Sequence, residues 1–238
     1  MKIMIGSARI DENGKVIGGL PGDQNGREVA TQSYYLHSKG WYCLRAKDDN
    51  VALRIAEQMK QACANNNIGY SQRRRNTLRQ HVLYYDIMNL SEVNKKVECD
   101  CSELVRTCVM LATGYLQTFE CEKGRSINFT TANEKELLLN TGLFNLIDFK
   151  KADDLCTGDI LVTKTKGHTV IVTEGNARGT FTKATVSAYS LTVRDGASAN
   201  CCAVRWLKKG DVVTIIRENN GWGEIAPGEW INLKYTNY

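Results

Sequence analysis

Apolar residues recur at helical spacing in four stretches of this 238-residue chain. In "DDNVALRIAEQMKQACANN", Val51, Ile55, Met59 and Ala62 share one stripe, and Asp48 or Asp49 stands where a helix start is capped. "RRRNTLRQHVLYYDIMNL" resumes helical spacing through Leu78, Val82, Tyr85 and Ile87, with Arg73-Arg74-Arg75 read as a solvated face at its opening. A third helix is predicted from Asp100. Asp100 and Glu103 have capping-box spacing there, and Leu104, Val105, Cys108, Leu111 and Ala112 follow on one face. "TTANEKELLLNTG" reads as a fourth helix, closed by Gly142.

Elsewhere the pattern is that of strands and turns. Residues 1–48 hold short strand-like pieces, and the glycine-rich "GGLPGDQNGREV" reads as an ordered turn or loop. "GDILVTKTKGHTVIVTEGN" reads as two short strands joined by a tight connection. From about residue 184 short strands alternate with "RDG", "KKGD", "NNGW" and "APGEW", which predicts a small β-barrel. Helices followed by strands predict an α+β fold rather than a wound parallel sheet. Two domains are expected, 1–182 and 184–238, the second near the lower size limit for independent folding.

Composition narrows the class only a little. Hydrophobic content of 42% and charged content of 24% are ordinary for a soluble globular protein. No apolar run approaches the ~18 residues of a membrane helix, so no membrane insertion is expected. The opening residues have too short an apolar run for a signal peptide, so synthesis in the cytosol is expected. The net charge of +5 suits weak attraction to an anionic surface, wall or nucleic acid alike. Nine cysteines cannot all pair within one chain, and reduced thiols are expected.

Three of the nine, Cys99, Cys101 and Cys108, lie within ten residues. Cys99 and Cys101 are too close together for a structural zinc pair, no matching second pair is near, and only His37, His81 and His168 are available. No metal or other cofactor is therefore expected. Cys108 lies on the apolar stripe of its helix and reads as core, and Cys201-Cys202 as barrel packing. Cys101 occupies the first helical position, where free amides and the helix dipole favour a thiolate, although Asp100 and Glu103 oppose it. Such a thiol needs a base. His37 has no distinctive setting, and His81 lies inside a helix on a packing face. His168 opens "HTVIVT" at a strand end, on the face of Val170 and Val172, which is expected to pack on the Cys101 helix. From spacing alone His168 is equally readable as a surface histidine.

"DCSELV", "GDILV" and "GHTVIV", in that order, resemble the NlpC-type cysteine peptidases among bacterial cell-wall hydrolases. "GLPGDQNGREV", "NNNIGYSQRRRNTL" and "ECDCSELVRTCV" look like a subgroup found in phage or prophage endolysins of clostridia and their relatives. The resemblance covers roughly residues 5–175 and implies a papain-like catalytic domain that cleaves peptidoglycan stem peptides, commonly between D-glutamate and a diamino acid. It implies Cys101 as nucleophile and His168 as the group that accepts its proton, or holds it as an imidazolium. It also implies Asp100, Ser102 and, more loosely, Tyr70 as holders of the substrate's free amine. The pattern departs at the third catalytic residue, where this chain has Thr180. Glu174 and Asn176 are nearer in sequence, but Glu174 would lie roughly 20 Å from His168 on a straight strand. Asp23 in "PGDQNG" is the nominee for the orienting role, with a local turn bonded by its side chain as the alternative.

Residues 184–238 resemble a bacterial SH3-like domain through Leu191, Arg194, Gly196, Lys209, Gly210, Asp211, Trp222 and Trp230. This implies anchoring to the wall, with Trp222 as a candidate contact and Trp230 as core. The expected partner is peptidoglycan rather than nucleic acid, reached through a phage-made membrane pore, and the oligomeric state is left open. Two alternatives stand beside this reading: a CHAP-like amidase or cross-bridge peptidase, and a non-catalytic wall-binding protein.

Overall fold

A computed structural model describes residues 2–114, 121–122, 125–126, 128–165, 167–177, 182–215, 217–226 and 228–238. The chain divides into two units, Met1–Arg178 and Gly179–Tyr238.

The first unit is built on a six-stranded antiparallel sheet. Its strands are β1 (Met4–Ala8), β2 (Val29–Ser33), β3 (Trp41–Ala46), β8 (Phe144–Ile147), β9 (Ile160–Thr163) and β10 (Thr169–Glu174), in the order β2-β1-β10-β9-β3-β8. Between β3 and β8 the chain forms α1 (Asp49–Ala64), β4 (Ile68–Tyr70), α2 (Thr77–Tyr84), β5 (Val97–Cys99), α3 (Cys101–Ala112), the two-residue strands β6 (Cys121–Glu122) and β7 (Arg125–Ser126), and α4 (Glu134–Asn140). β4 and β5 pair in parallel beside the main sheet, bringing Tyr70 level with Cys99.

Strand alternation sends the two faces of the sheet into different cores. Leu44, Ala46, Ile160, Val162 and Ile171 pack with Ile55 and Met59 of α1 and with Leu104, Val105 and Cys108 of α3. Trp41, Cys43, Leu161, Val170 and Val172 form the other core with Ile3, Ile5 and Leu155. The face of Val170 and Val172 is therefore turned away from the Cys101 helix, contrary to expectation. Thr169 and Ile171 occupy the helix side, because the pleat flips at each residue. β1 lies directly on α1, since a Cβ at Gly6 would come within 2.5 Å of Met59 Cγ and 3.1 Å of Cys63 Sγ.

Helix limits follow local chemistry. Asp48 caps α1 by accepting from the amides of Asn50 and Val51. α2 is shorter than its apolar pattern predicts. Arg74 N donates to Ser71 Oγ in the turn before it, and Asp86 adopts φ 51° just after it. The three arginines lie in the turns before α2, with Arg73 and Arg74 exposed as expected and Arg75 turned inward. Arg74 pairs with the buried Glu98, and Arg75 runs inward to Asp100. Every residue of α3 is buried. Only half of the predicted capping box forms at its start. Asp100 Oδ1 accepts from Glu103 N at 2.8 Å, while the Glu103 side chain turns to Arg79 and Arg106. Gly142, at φ 73°, closes α4.

The second unit pairs eight strands as two antiparallel sheets. β11 (Thr182–Val186), β14 (Val212–Ile215) and β18 (Thr236–Asn237) form one, in the order β14-β11-β18. β12 (Ser190–Arg194), β13 (Ala203–Lys208), β15 (Arg217–Asn219), β16 (Trp222–Ala226) and β17 (Glu229–Asn232) form the other, in the order β13-β12-β17-β16-β15. Val186, Leu191, Val193, Leu207, Ile215 and Ile231 supply one shared core. Asn220 and Gly221, both at positive φ, make the hairpin turn of "NNGW".

Candidate active site

Asp100 sits at the N-cap of α3 in extended conformation, which turns the chain so that Cys101 opens the helix. Asp100 is held from several directions. Its Oδ1 accepts from Ser102 Oγ (3.1 Å) and from Arg75 Nη2 (3.1 Å), and Arg75 Nε lies 2.7 Å from its Oδ2. Arg75 Nη2 also donates to Ser102 Oγ (2.7 Å) and to the carbonyl of Phe129 (2.6 Å). Asp100 and Ser102 are thus joined in one buried charged network around the nucleophile candidate. Such a network resists rearrangement, because stripping one partner leaves a buried charge exposed to apolar surroundings.

Tyr70 belongs to the same neighbourhood. It is buried, and burial together with the nearby Cys101 and Asp100 pushes its hydroxyl pKa up. Its amide donates to Glu28 Oε2 at 3.0 Å. Glu28 is fully buried on the loop that Asp23 organises. Asp23 Oδ1 accepts from the amides of Asn25, Gly26 and Arg27, and its Oδ2 from those of Glu28 and Val29. Both oxygens are therefore taken up by the loop's own backbone. Asp23 supports Tyr70 through Glu28, and among the described residues no hydrogen bond joins it to His168.

Cys101 is 9% exposed. Burial pushes its thiol up to about 12, with the negative charges of Asp100 and Glu134 adding to the effect. The amides of Thr169 and Ser102 are directed at the sulfur and pull the other way. The Thr169 amide matters for geometry, because it places the thiol against the residue that follows His168. His168 is pushed down to about 4 by burial, by His37 and by Arg9. Its backbone is fixed by Thr163: His168 N donates to Thr163 Oγ1 (3.1 Å) and Thr163 N to His168 O (3.0 Å). Burial thus favours a neutral thiol at Cys101 and a neutral imidazole at His168.

An aromatic cluster borders the imidazole. The His168 and Trp41 ring centroids are 6.3 Å apart, those of Trp41 and His37 are 5.2 Å apart, and Tyr35 packs on both Trp41 and His37. Burial raises the Tyr35 hydroxyl pKa, with Arg9 pulling it down and Cys101 adding a smaller upward push. His37 was read from sequence as having no distinctive setting. Only the fold of the loop between β2 and β3 reveals its place. Trp41 also lines a cavity of about 530 Å³ with Tyr34, Tyr42, Phe149, Lys150 and Lys164.

Glu134 was not singled out by sequence reasoning. Its place at the head of a short amphipathic helix gave no sign of burial, yet it is fully buried and accepts from Thr169 Oγ1 at 2.7 Å. Thr180, at the spacing of the family's third residue, lies outside the described residues. Cys99 is buried with its thiol 3.7 Å from the Gly69 carbonyl, and Cys108 is core. Among the described residues no cluster of three or more histidine, cysteine, aspartate or glutamate side chains is arranged to hold a metal ion.

In the second unit Trp230 is buried, while Trp222 is half-buried. Trp222 lines a cleft of about 350 Å³ with Thr192, Arg194, Asn232 and Tyr235.

A family model described as ELLD, Endolysin-like domain, matches residues 5–179. No curated protein and no solved structure gives a significant match to the chain.

Proposed function

Because the chain belongs to the endolysin-like domain family, a cell-wall hydrolase in outline, we propose that it cleaves stem-peptide amide bonds of peptidoglycan by a cysteine–histidine mechanism. The bond between D-glutamate and the diamino acid is the proposed target. One observation carries this reading: the Cys101 thiol, at the N-terminus of α3, lies against the amide of Thr169, the residue after His168.

The chemistry starts from the neutral pair. As the Cys101 sulfur attacks the amide carbonyl, its proton passes to His168. The Cys101 backbone amide, one of the first amides of α3, which have no partner within the helix, faces the developing oxyanion. The imidazolium then protonates the leaving amine as the C–N bond breaks. Water, deprotonated by His168, hydrolyses the thioester. Asp100, Ser102 and Tyr70 border the nucleophile on the side where the substrate's free amine is proposed to bind. Asp100 shares its charge with Arg75, so the amine meets a partly neutralised carboxylate.

His168 acts as a base only while neutral. Its pKa is depressed to about 4, so the rate of wall clearing is expected to hold at mildly acidic pH and to fall as pH drops through about 4. A rate that already halves near pH 6.5 would show an imidazole with an ordinary pKa, and would contradict a buried neutral base.

We assign wall binding to the second unit, with the Trp222 cleft as the contact. Trp222→Ala should weaken pull-down on purified walls by roughly tenfold, in line with loss of an aromatic anchor, and leave cleavage of soluble muropeptides intact. Equal binding by the variant would remove this assignment. The decisive experiment for the reaction is mass spectrometry of fragments released from defined muropeptides. New amino termini on the diamino acid support the endopeptidase. Sugar freed from the first L-alanine would replace it with an amidase. No cleavage at all would leave a binding protein.

A further inference from the structure

Glu134 is a carboxylic acid sealed inside the fold next to the proposed nucleophile. It opens α4 and is 0% exposed. Its Oε1 accepts from Thr169 Oγ1 at 2.7 Å, and among the described residues its Oε2 is buried with no hydrogen-bond partner. Thr169 therefore joins two groups, with its hydroxyl on Glu134 and its amide on the Cys101 sulfur. The loop leading into α4 is fixed to the same hairpin and to the α3 network. Gly167 N donates to Thr131 Oγ1 (3.1 Å), Glu134 N donates to Thr130 O (2.9 Å), and Arg75 reaches Phe129 O from Asp100.

Charge around Glu134 is one-sided. From α3 it faces Asp100 and Cys101, and from β10 the Thr169 hydroxyl, with His168 just before it. On its own helix Lys135 turns away, pairing with Glu136 and lying over Tyr42 of β3. β8 contributes no titratable side chain. Arg75, bonded to Phe129 O on the loop leading into α4, is engaged by Asp100. Among the described residues no counter-charge is paired with this second carboxylate. A buried carboxyl without one keeps its proton.

We propose that Glu134 is a positioning residue that works in its neutral form, holding Thr169, and through it the start of β10, in register with the Cys101 thiol. This rests on the reading of Cys101 as nucleophile and His168 as base. Ionised, Glu134 adds a negative charge beside Asp100 that opposes loss of the thiol proton, so the site carries its own alkaline limit. Burial raises the Glu134 pKa to about 8, which sets where that limit falls.

The test uses the full-length protein with Glu134→Ala, Glu134→Gln and Cys101→Ala, and two readouts across pH 6 to 9.5. The first is the rate of wall clearing. The second is the rate at which iodoacetamide alkylates Cys101, followed on the Cys101 peptide by mass spectrometry. Glu134→Ala is expected to lower clearing on the order of 10- to 100-fold, as small misplacements of reacting groups do. Glu134→Gln keeps an oxygen for the Thr169 hydroxyl and cannot ionise. It should restore most of that loss, abolish the decline near pH 8, and shift Cys101 alkylation to lower pH. Clearing and alkylation profiles of Glu134→Gln that superimpose on the parent's would overturn the proposal, as would a parental rate in Glu134→Ala. If Cys101→Ala still clears walls, the nucleophile reading fails by itself. The alkylation profiles then decide the role of Glu134 alone.

Discussion

Cys101→Ala is expected to leave a folded protein whose rate of wall clearing falls on the order of 10³-fold or more, the scale seen when a covalent nucleophile is removed. The side chain is small and the helix that carries it is held by groups the substitution does not touch. Asp100 still caps α3, and Arg75 still ties Asp100 to Ser102 and Phe129. Thermal melting should therefore move little while clearing disappears. Cys108→Ala makes the informative contrast, because Cys108 packs in the main core and its loss should lower stability and spare the chemistry. Undiminished clearing by Cys101→Ala, measured beside a parent sample of equal wall binding, would end the cysteine mechanism.

Glu103→Ala is expected to lower stability by about 3–5 kcal/mol, the usual cost of removing one member of a buried ion network. The side chain of Glu103 is 2% exposed, and it bonds Arg106 at 3.0 Å and Arg79 at 3.1 Å. Arg106 is itself among the largest fully buried side chains. Without the carboxylate, the buried Arg79 and Arg106 each lose their ion pair with Glu103. The midpoint of urea unfolding should fall accordingly. Replacing Glu103 and Arg106 together with leucine should recover part of the loss, since apolar substitutes of similar volume remove the desolvation cost along with the attraction. A midpoint unchanged in Glu103→Ala would mean that the three groups contribute no net stabilisation.

The sequence made α1 and α3 legible almost to the residue, because their apolar stripes and aspartate caps agree with each other. It also exposed the hairpin around "KTKGH" and the opening position of Cys101. What it could not carry was the sense of burial for charged groups. Arg75, Glu103 and Glu134 look like ordinary surface residues in a linear reading, yet each is bonded to a partner 24 or more residues away. The face of β10 was misassigned for a related reason. Alternation shows which residues share a side, but not which side meets the helix when both are apolar. The short parallel pair β4–β5 has three residues per strand, too few for any period to register. His37 and Trp41 acquire significance only once β3 lies beside β9 in the sheet.

The pairing of β1 with β10 has a consequence for how the molecule comes into being. Ile5 stands opposite Val172, so the central ladder joins nearly the first and nearly the last residues of the unit. Closing so long a loop is slow compared with forming local helices. During synthesis the segment bearing His168 and Thr169 leaves the ribosome after α1–α4, and until it inserts between β1 and β9 the Cys101 thiol lacks the Thr169 amide. On the proposed cysteine–histidine mechanism, nascent and prematurely terminated chains are therefore expected to be chemically inert. The capacity for hydrolysis would arise in a single late folding event, and only in chains that have been translated past the final strand.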